Sequence, residues 1–101
     1  MQQNINIKVG DEELKGRYAN LMQVSHSREE FCLDFFLVHP PVGQLIARVI
    51  TSPGHAKRIL AALADNIKKY EIGFGKIEEA EEPKGKMEIK WKGKGEGDRG
   101  L

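Results

Sequence analysis

The segment Ser52–Gly75 constrains the fold of this chain most strongly, because it carries the signals for both ends of a helix. Ser52 can accept hydrogen bonds from first-turn amides, and Pro53 suits the first helical position, where no donor is required. Gly73 and Gly75 can end the helix, since glycine adopts the left-handed conformation readily. Between these ends the apolar residues recur every three or four positions and predict one stripe, formed by Ala56, Leu60, Leu63, Ile67, Tyr70 and Phe74.

The residues before this helix have the alternating pattern of β-strands. Four strands are predicted, over Asn4–Val9, Arg17–His26, Phe31–Val38 and Gln44–Thr51. Polar Ser27–Glu30 closes a hairpin, and His39-Pro40-Pro41 interrupts the sheet because proline has no N–H to donate. The fold class is therefore predicted as α+β: an antiparallel four-stranded meander followed by one amphipathic helix, in a single domain over residues 1–77.

The third predicted strand is apolar on both of its faces. Phe31 and Phe35 lie on one face, while Phe36 and Val38 lie on the other. A strand with this pattern is covered on both sides, so we expect the helix on one side and a second subunit on the other. The candidate oligomer interface is therefore Phe31, Phe35, Phe36 and Val38, and a homodimer is the favoured assembly.

The remaining residues, 78–101, form a charged segment rich in lysine and glycine, and we predict a flexible tail there. Lys86–Lys92 differs from its surroundings, because Met87, Ile89 and Trp91 alternate with charged residues. This short piece can form an added edge strand or dock on a partner. Lysines around an aromatic residue can also stack on bases while neutralising phosphates, although they equally keep a tail soluble.

Composition excludes several classes of protein. The net charge is only +1, so no strong field draws the chain to nucleic acid or anionic membranes. The single cysteine, Cys32, lies in an apolar strand and indicates a small buried side chain rather than a disulfide or metal framework. The N-terminus has no signal-peptide pattern, and no segment is long and apolar enough to span a bilayer. A soluble cytoplasmic protein without a membrane partner is expected.

Motifs for catalysis and cofactors are missing from the sequence. It contains no glycine-rich phosphate loop, no nucleophile elbow and no paired-histidine helix motif. Asp34 can pair with His26 or His39 across the hairpin, but an acid–histidine pair alone is a weak catalytic signal. We therefore expect no enzymatic activity, no cofactor and no metal.

Several basic and aromatic residues are candidate contacts for a ligand or nucleic acid. Arg48 lies between apolar residues on one sheet face, where arginine usually has a partner: Asp34, another subunit or a phosphate. His55 lies in the first helical turn, where free amides favour anions. The complete candidate set is Arg17, Tyr18, Arg48, His55, Lys57, Arg58 and Trp91.

Several short motifs resemble those of the domain of unknown function 3467, a family of small prokaryotic proteins. The resemblance spans about residues 7–77 and is carried by Gly16-Arg17-Tyr18-Ala19-Asn20, Ser25-His26-Ser27, Glu30-Phe31, Arg48-Val49, Ser52-Pro53 and His55-Ala56-Lys57-Arg58. This resemblance supports the domain and implies no activity, because the family has none assigned. The order of four strands and one helix also resembles the layout of the Pur-alpha and Whirly single-strand nucleic-acid binders and of the SecB export chaperones.

These observations favour a non-enzymatic, homo-oligomeric binding module of unknown ligand. The first alternative is a single-stranded DNA or RNA binder, in which Arg17, Tyr18 and Arg48 contact the strand. The second is a SecB-like binder of peptides or unfolded clients, which would use exposed sheet edges or an apolar groove.

Overall fold

Within the described part of the chain, a short helix, three strands and one long helix follow each other. The computed structural model describes residues 3–81 and 89–92. In chain order the elements are α1 (Asp11–Lys15), β1 (Leu21–His26), β2 (Phe31–His39), β3 (Val42–Thr51) and α2 (Pro53–Phe74). The three strands form one antiparallel sheet in the order β1-β2-β3. The fold class is thus α+β, with an antiparallel sheet followed by a helix.

The prediction of four strands was wrong by one. Asn4–Val9 forms no strand, and its apolar side chains are exposed, with Ile5 and Ile7 about three-quarters accessible. Alternation alone cannot make a strand, because each strand also needs a neighbour to pair with its backbone. The acidic residues after Gly10 form α1, and β1 begins at Leu21, four residues later than predicted.

The two hairpin connections match the sequence signals. In the first, the Ser27 N–H donates to the Glu30 carbonyl over 2.9 Å and closes the polar loop. In the second, Pro40 and Pro41 occupy the turn, joined by a cis peptide bond. β2 therefore lies between β1 and β3 as the central strand, which agrees with its strongly apolar sequence.

The register divides the sheet into two faces of different character. Cross-strand partners in an antiparallel sheet share a face, so the pairs Met22–Phe35, Val24–Leu33 and Leu33–Val49 lie together. We call this side the apolar face; its members are Met22, Val24, Phe31, Leu33, Phe35, Leu37, Ala47 and Val49. The opposite side carries Leu21, Ser25, Cys32, Asp34, Phe36, Arg48 and Ile50, and we call it the Asp34 face.

β3 contains one residue more than its partner strand, and this changes which residues face which side. Phe35 pairs with Ala47, whereas Phe36 pairs with Leu45, so Ile46 is the extra residue of a bulge. Simple alternation along Gln44–Thr51 predicts Leu45 on the same face as Ala47 and Val49, but the bulge places Leu45 opposite Phe36, on the other face. A bulge has no marker in the sequence pattern here, because Leu45 and Ile46 are both apolar.

The helix predicted over Ser52–Gly75 is confirmed together with its ends. Ser52 Oγ accepts from the His55 N–H over 3.1 Å, and Pro53 is the first helical residue. Gly75 ends the helix with φ of 101° and donates its N–H to the Glu71 carbonyl. The expectation that this helix covers the sheet is not met, because no residue of α2 is buried in the single chain.

The chain buries few of its apolar side chains. Within the described residues, Cys32 and Phe36 are the buried hydrophobic side chains, and both lie on the Asp34 face. The single chain thus leaves apolar surface uncovered on both the sheet and α2.

Candidate functional site

An ion pair between neighbouring strands is the centre of the Asp34 face. Arg48 Nε donates to Asp34 Oδ1 over 2.7 Å, and Arg48 Nη2 donates to Asp34 Oδ2 over 2.9 Å. The two residues are direct cross-strand partners, which explains why both donors reach the carboxylate at once. Of the three partners proposed for Arg48, the structure shows Asp34.

The carboxylate of Asp34 is almost fully buried and also accepts from a thiol. The side chain of Asp34 is 6% exposed, against 27% for Arg48. Cys32 Sγ donates to Asp34 Oδ1 over 3.6 Å, and Cys32 is 1% exposed. The interpretation of Cys32 as a small buried side chain is therefore confirmed. A buried charge of this kind is tolerated because both oxygens are bonded to a cation.

Trp91, from the C-terminal segment, lies over this ion pair. The Arg48 Cζ atom is 5.3 Å from the centroid of the indole, within range of a cation–π interaction. The indole also meets Phe36 edge to face, with the ring centroids 5.7 Å apart. Ile89–Lys92 therefore docks on the Asp34 face and forms no strand. The rest of the predicted strand over Lys86–Lys92, up to residue 88, lies outside the described residues.

The other predicted contact residues are dispersed over the molecule. Arg17 and Tyr18 lie in the connection between α1 and β1, and Tyr18 is 78% exposed. The side chains of His55, Lys57 and Arg58 are exposed at the start of α2. Of the seven candidate contacts, the structure therefore brings together Arg48 and Trp91.

The histidines and Asp34 do not converge on one site. His26 pairs with Phe31 on the apolar face and stacks on its ring, with the centroids 5.3 Å apart. His39 ends β2, five residues or about 16 Å from Asp34. Asp34 is engaged by Arg48 instead, so the predicted acid–histidine pair is not formed.

The candidate oligomer residues separate into two sets. Phe31 and Phe35 lie half-buried on the apolar face, next to Val24 and Val49, which are 48% and 45% exposed. Phe36 and Val38 alternate with them and point to the opposite side, where Phe36 contacts Trp91. Within the part of the chain that the structure describes, the apolar face and the stripe of α2 are thus large, partly exposed apolar surfaces; on the stripe, Leu60 is 68% and Phe74 80% exposed.

Asn20, for which the sequence predicted no role, extends the sheet by one residue before the start of β1. Its Nδ2 donates to the Val38 carbonyl and its Oδ1 accepts from the Val38 N–H, both over 2.9 Å. The Asn20 N–H also donates to the Phe36 carbonyl over 2.9 Å. This residue ends the motif Gly16-Arg17-Tyr18-Ala19-Asn20, so part of that motif has a structural task. An asparagine just before a strand is the signal that sequence reasoning missed.

Within residues 3–81 and 89–92, no three His, Cys, Asp or Glu side chains lie close enough together to hold a metal ion. Over the same residues, neither helix is both long and apolar enough to cross a membrane.

Comparison with protein families identifies the chain. A family model described as "Protein of unknown function (DUF3467)" matches residues 1–79. The chain belongs to the DUF3467 family. The resemblance carried by the sequence motifs is therefore confirmed, and Ile89–Lys92 lies beyond the matched region.

Comparison with curated proteins gave no match, and comparison with solved structures gave none either. The layout shared with Pur-alpha, Whirly and SecB proteins was four strands followed by a helix. Because the described residues form three strands, that architectural resemblance does not hold.

Proposed function

We propose that this DUF3467 protein is a non-enzymatic, homo-oligomeric binding module whose basic unit is a dimer. In the dimer, α2 of each copy covers the apolar face of the other copy's sheet. The observation that carries this proposal is the state of α2, which has a continuous apolar stripe and no buried residue in the single chain. An exposed helix of this composition is costly in water, so a partner surface is expected.

The connection between β3 and α2 explains why the partner is a second copy. Only Ser52 separates Thr51, the last strand residue, from Pro53, the first helical residue. Ser52 is extended, with φ of −77° and ψ of 157°, so the helix leaves the sheet without a reversing loop. A connection this short does not let α2 fold back onto the sheet of its own chain. It therefore favours exchange of α2 between two chains.

The two uncovered surfaces also match in size. The 22 residues of α2 give a helix about 33 Å long, and the 10 residues of β3 span about 33 Å. The reciprocal arrangement covers both surfaces with one two-fold interface. Pairing of sheet to sheet would leave the α2 stripe in water, and pairing of helix to helix would leave the apolar face exposed.

Both surfaces offer large apolar side chains to an interface. A specific interface buries about 800 Å² on each partner. Met22, Val24 and Val49 on the apolar face are 45–48% exposed, and Leu60, Leu63, Ile67, Tyr70 and Phe74 on the α2 stripe are 42–80% exposed. A reciprocal dimer covers both sets of side chains.

The alternatives receive less support from the geometry. In the nucleic-acid hypothesis Arg17, Tyr18 and Arg48 contact the strand, but Arg48 already binds Asp34 and lies against the Trp91 indole. A SecB-like client would compete for the same apolar face that a second copy covers. We place the module in the cytoplasm, because its one cysteine is a buried free thiol and the domain needs no disulfide.

Light scattering on a size-exclusion column tests the proposal with matched variants. We expect the wild-type chain at micromolar concentration to have about twice the monomer mass of 11.4 kDa. Leu63→Glu places a charge in the α2 stripe and should shift the chain to the monomer. Ala61→Glu is its control, because it adds the same charge on the opposite side of α2 and should leave the dimer intact.

A second pair of variants tests the sheet surface in the same experiment. Val24→Lys introduces a charge on the apolar face of edge strand β1 and should weaken the dimer by at least about tenfold, or 1.4 kcal/mol. Gln23→Lys, on the neighbouring residue and the opposite face, should not weaken it. A wild-type mass of 11.4 kDa, or equal effects within each pair, would contradict the proposal.

A further inference from the structure

Two side chains of the Asp34 face contact Trp91. The guanidinium of Arg48 lies 5.3 Å from the indole centroid, and Phe36 supplies the edge-to-face contact at 5.7 Å. Ile89–Lys92 has no strand pairing with the sheet. Because it lacks the ladder of backbone hydrogen bonds that fixes a strand, this segment undocks more readily than the strands of the sheet separate.

The side chains under Trp91 are held in an arrangement that suits stacking with an aromatic ring. Asp34 binds Arg48 with two parallel hydrogen bonds and fixes the plane of the guanidinium. A fixed plane loses little further side-chain entropy when a ring stacks on it, so stacking there is favoured over stacking on a mobile arginine. Phe36, which is 5% exposed with Trp91 in place, gives the apolar side of the same surface.

We propose that Asp34, Arg48 and Phe36 form a docking site for a tryptophan-bearing segment, and that Ile89–Lys92 is its intramolecular ligand. Ile89–Lys92 lies beyond the family match at residues 1–79, whereas Asp34, Arg48 and Phe36 lie within it. The segment therefore covers a surface that belongs to the family domain. An external segment of the same chemistry, a tryptophan flanked by lysines, must displace Trp91 before it binds. This inference does not depend on the proposed dimer, because every contact involved lies within one chain.

The fluorescence of Trp91 reports its docking directly, because it is the only tryptophan of the chain. We expect blue-shifted emission and weak acrylamide quenching for the wild type at all protein concentrations. Arg48→Lys keeps the charge but removes the planar, two-bond platform, and should lower the ratio of docked to undocked Trp91 about two- to fivefold. Arg58→Lys, on the exposed start of α2, is the matched control and should leave the fluorescence unchanged.

A titration in trans tests the site itself. A peptide with the sequence of residues 86–94, carrying a fluorescent dye at its N-terminus, is added to the full-length Trp91→Ala chain, whose site is vacated, and to the wild type, and the anisotropy of the dye is followed. We expect the peptide to bind this variant at least about tenfold more tightly than the wild type, where the tethered segment competes at high effective concentration. The same peptide with its lysine and aromatic positions scrambled should not bind.

Three results would overturn the inference. Emission typical of a fully hydrated indole in the wild type would show that Trp91 is not docked. Equal peptide affinity for the wild type and the Trp91→Ala chain, or no binding to either, would remove the site. Loss of the blue shift on dilution would show that a second copy supplies Trp91, against the intramolecular assignment.

Discussion

At the residue scale, the side chain of Asn20 makes hydrogen bonds to β2 that the backbone of a strand residue normally makes. Its side-chain amide donates to the Val38 carbonyl and accepts from the Val38 N–H, and so continues the β1–β2 pairing before the first residue of β1. Three hydrogen bonds link this one residue to the central strand, since its N–H also reaches Phe36. In structural terms the first position of β1 is therefore Asn20, although the regular strand begins at Leu21.

Asn20→Ala should destabilise the protein by about 1–2 kcal/mol, because it leaves the backbone groups of Val38 without their side-chain partners. Asn20→Asp retains the acceptor for the Val38 N–H but loses the donor, and should cost an intermediate amount. Urea denaturation at fixed chain concentration measures both changes from the midpoint at unchanged slope. Gln23→Ala, an exposed residue of the same strand, is the control with an expected change within about 0.5 kcal/mol. A cost for Asn20→Ala no larger than that of the control would contradict the assignment.

At the element scale, the sequence predicted those features that depend on neighbouring residues. The helix ends at Ser52 and Gly75, the two hairpin loops and the central strand are local signals, and the structure has them all. Three features depended on distant residues and were missed: the unpaired Asn4–Val9, the bulge at Ile46 and the separation of α2 from the sheet. The partner of Arg48 could be narrowed to three choices, but only the register with β2 shows that it is Asp34.

The link between β3 and α2 gives a prediction at this scale. Inserting Gly-Ser-Gly-Ser between Thr51 and Ser52 keeps the helix cap. It also makes the connection long enough for α2 to turn back towards its own sheet. The helix can then pack on its own sheet, so the mass in solution should move towards the monomer value of 11.4 kDa. The same four residues inserted between Arg28 and Glu29, in the β1–β2 loop, should leave the mass unchanged. A dimer of unaltered affinity after the first insertion would show that the short connection does not cause the exchange.

At the scale of the whole molecule, the two faces of the sheet differ in what covers them. The Asp34 face is closed within the chain by Ile89–Lys92, through Trp91 on Arg48 and Phe36. The apolar face is at most half-buried within residues 3–81 and 89–92, and α2 has a stripe that matches it in length. In the proposed dimer a second copy covers both surfaces, because each copy supplies one helix and one sheet. Membership in the DUF3467 family defines the domain, and the dimer is our proposal for its assembly.

The direct test is a nuclear magnetic resonance measurement on a mixed sample, with one half of the chains carrying ¹³C-labelled methyl groups and the other half unlabelled. Isotope-filtered spectra of this sample report only contacts between copies. The account predicts cross-peaks from the methyl groups of Leu63 and Ile67 on α2 to protons of Val24, Leu33 or Val49 on the apolar face. Filtered spectra without these cross-peaks, or with cross-peaks between one α2 and another and none to the sheet, would contradict it.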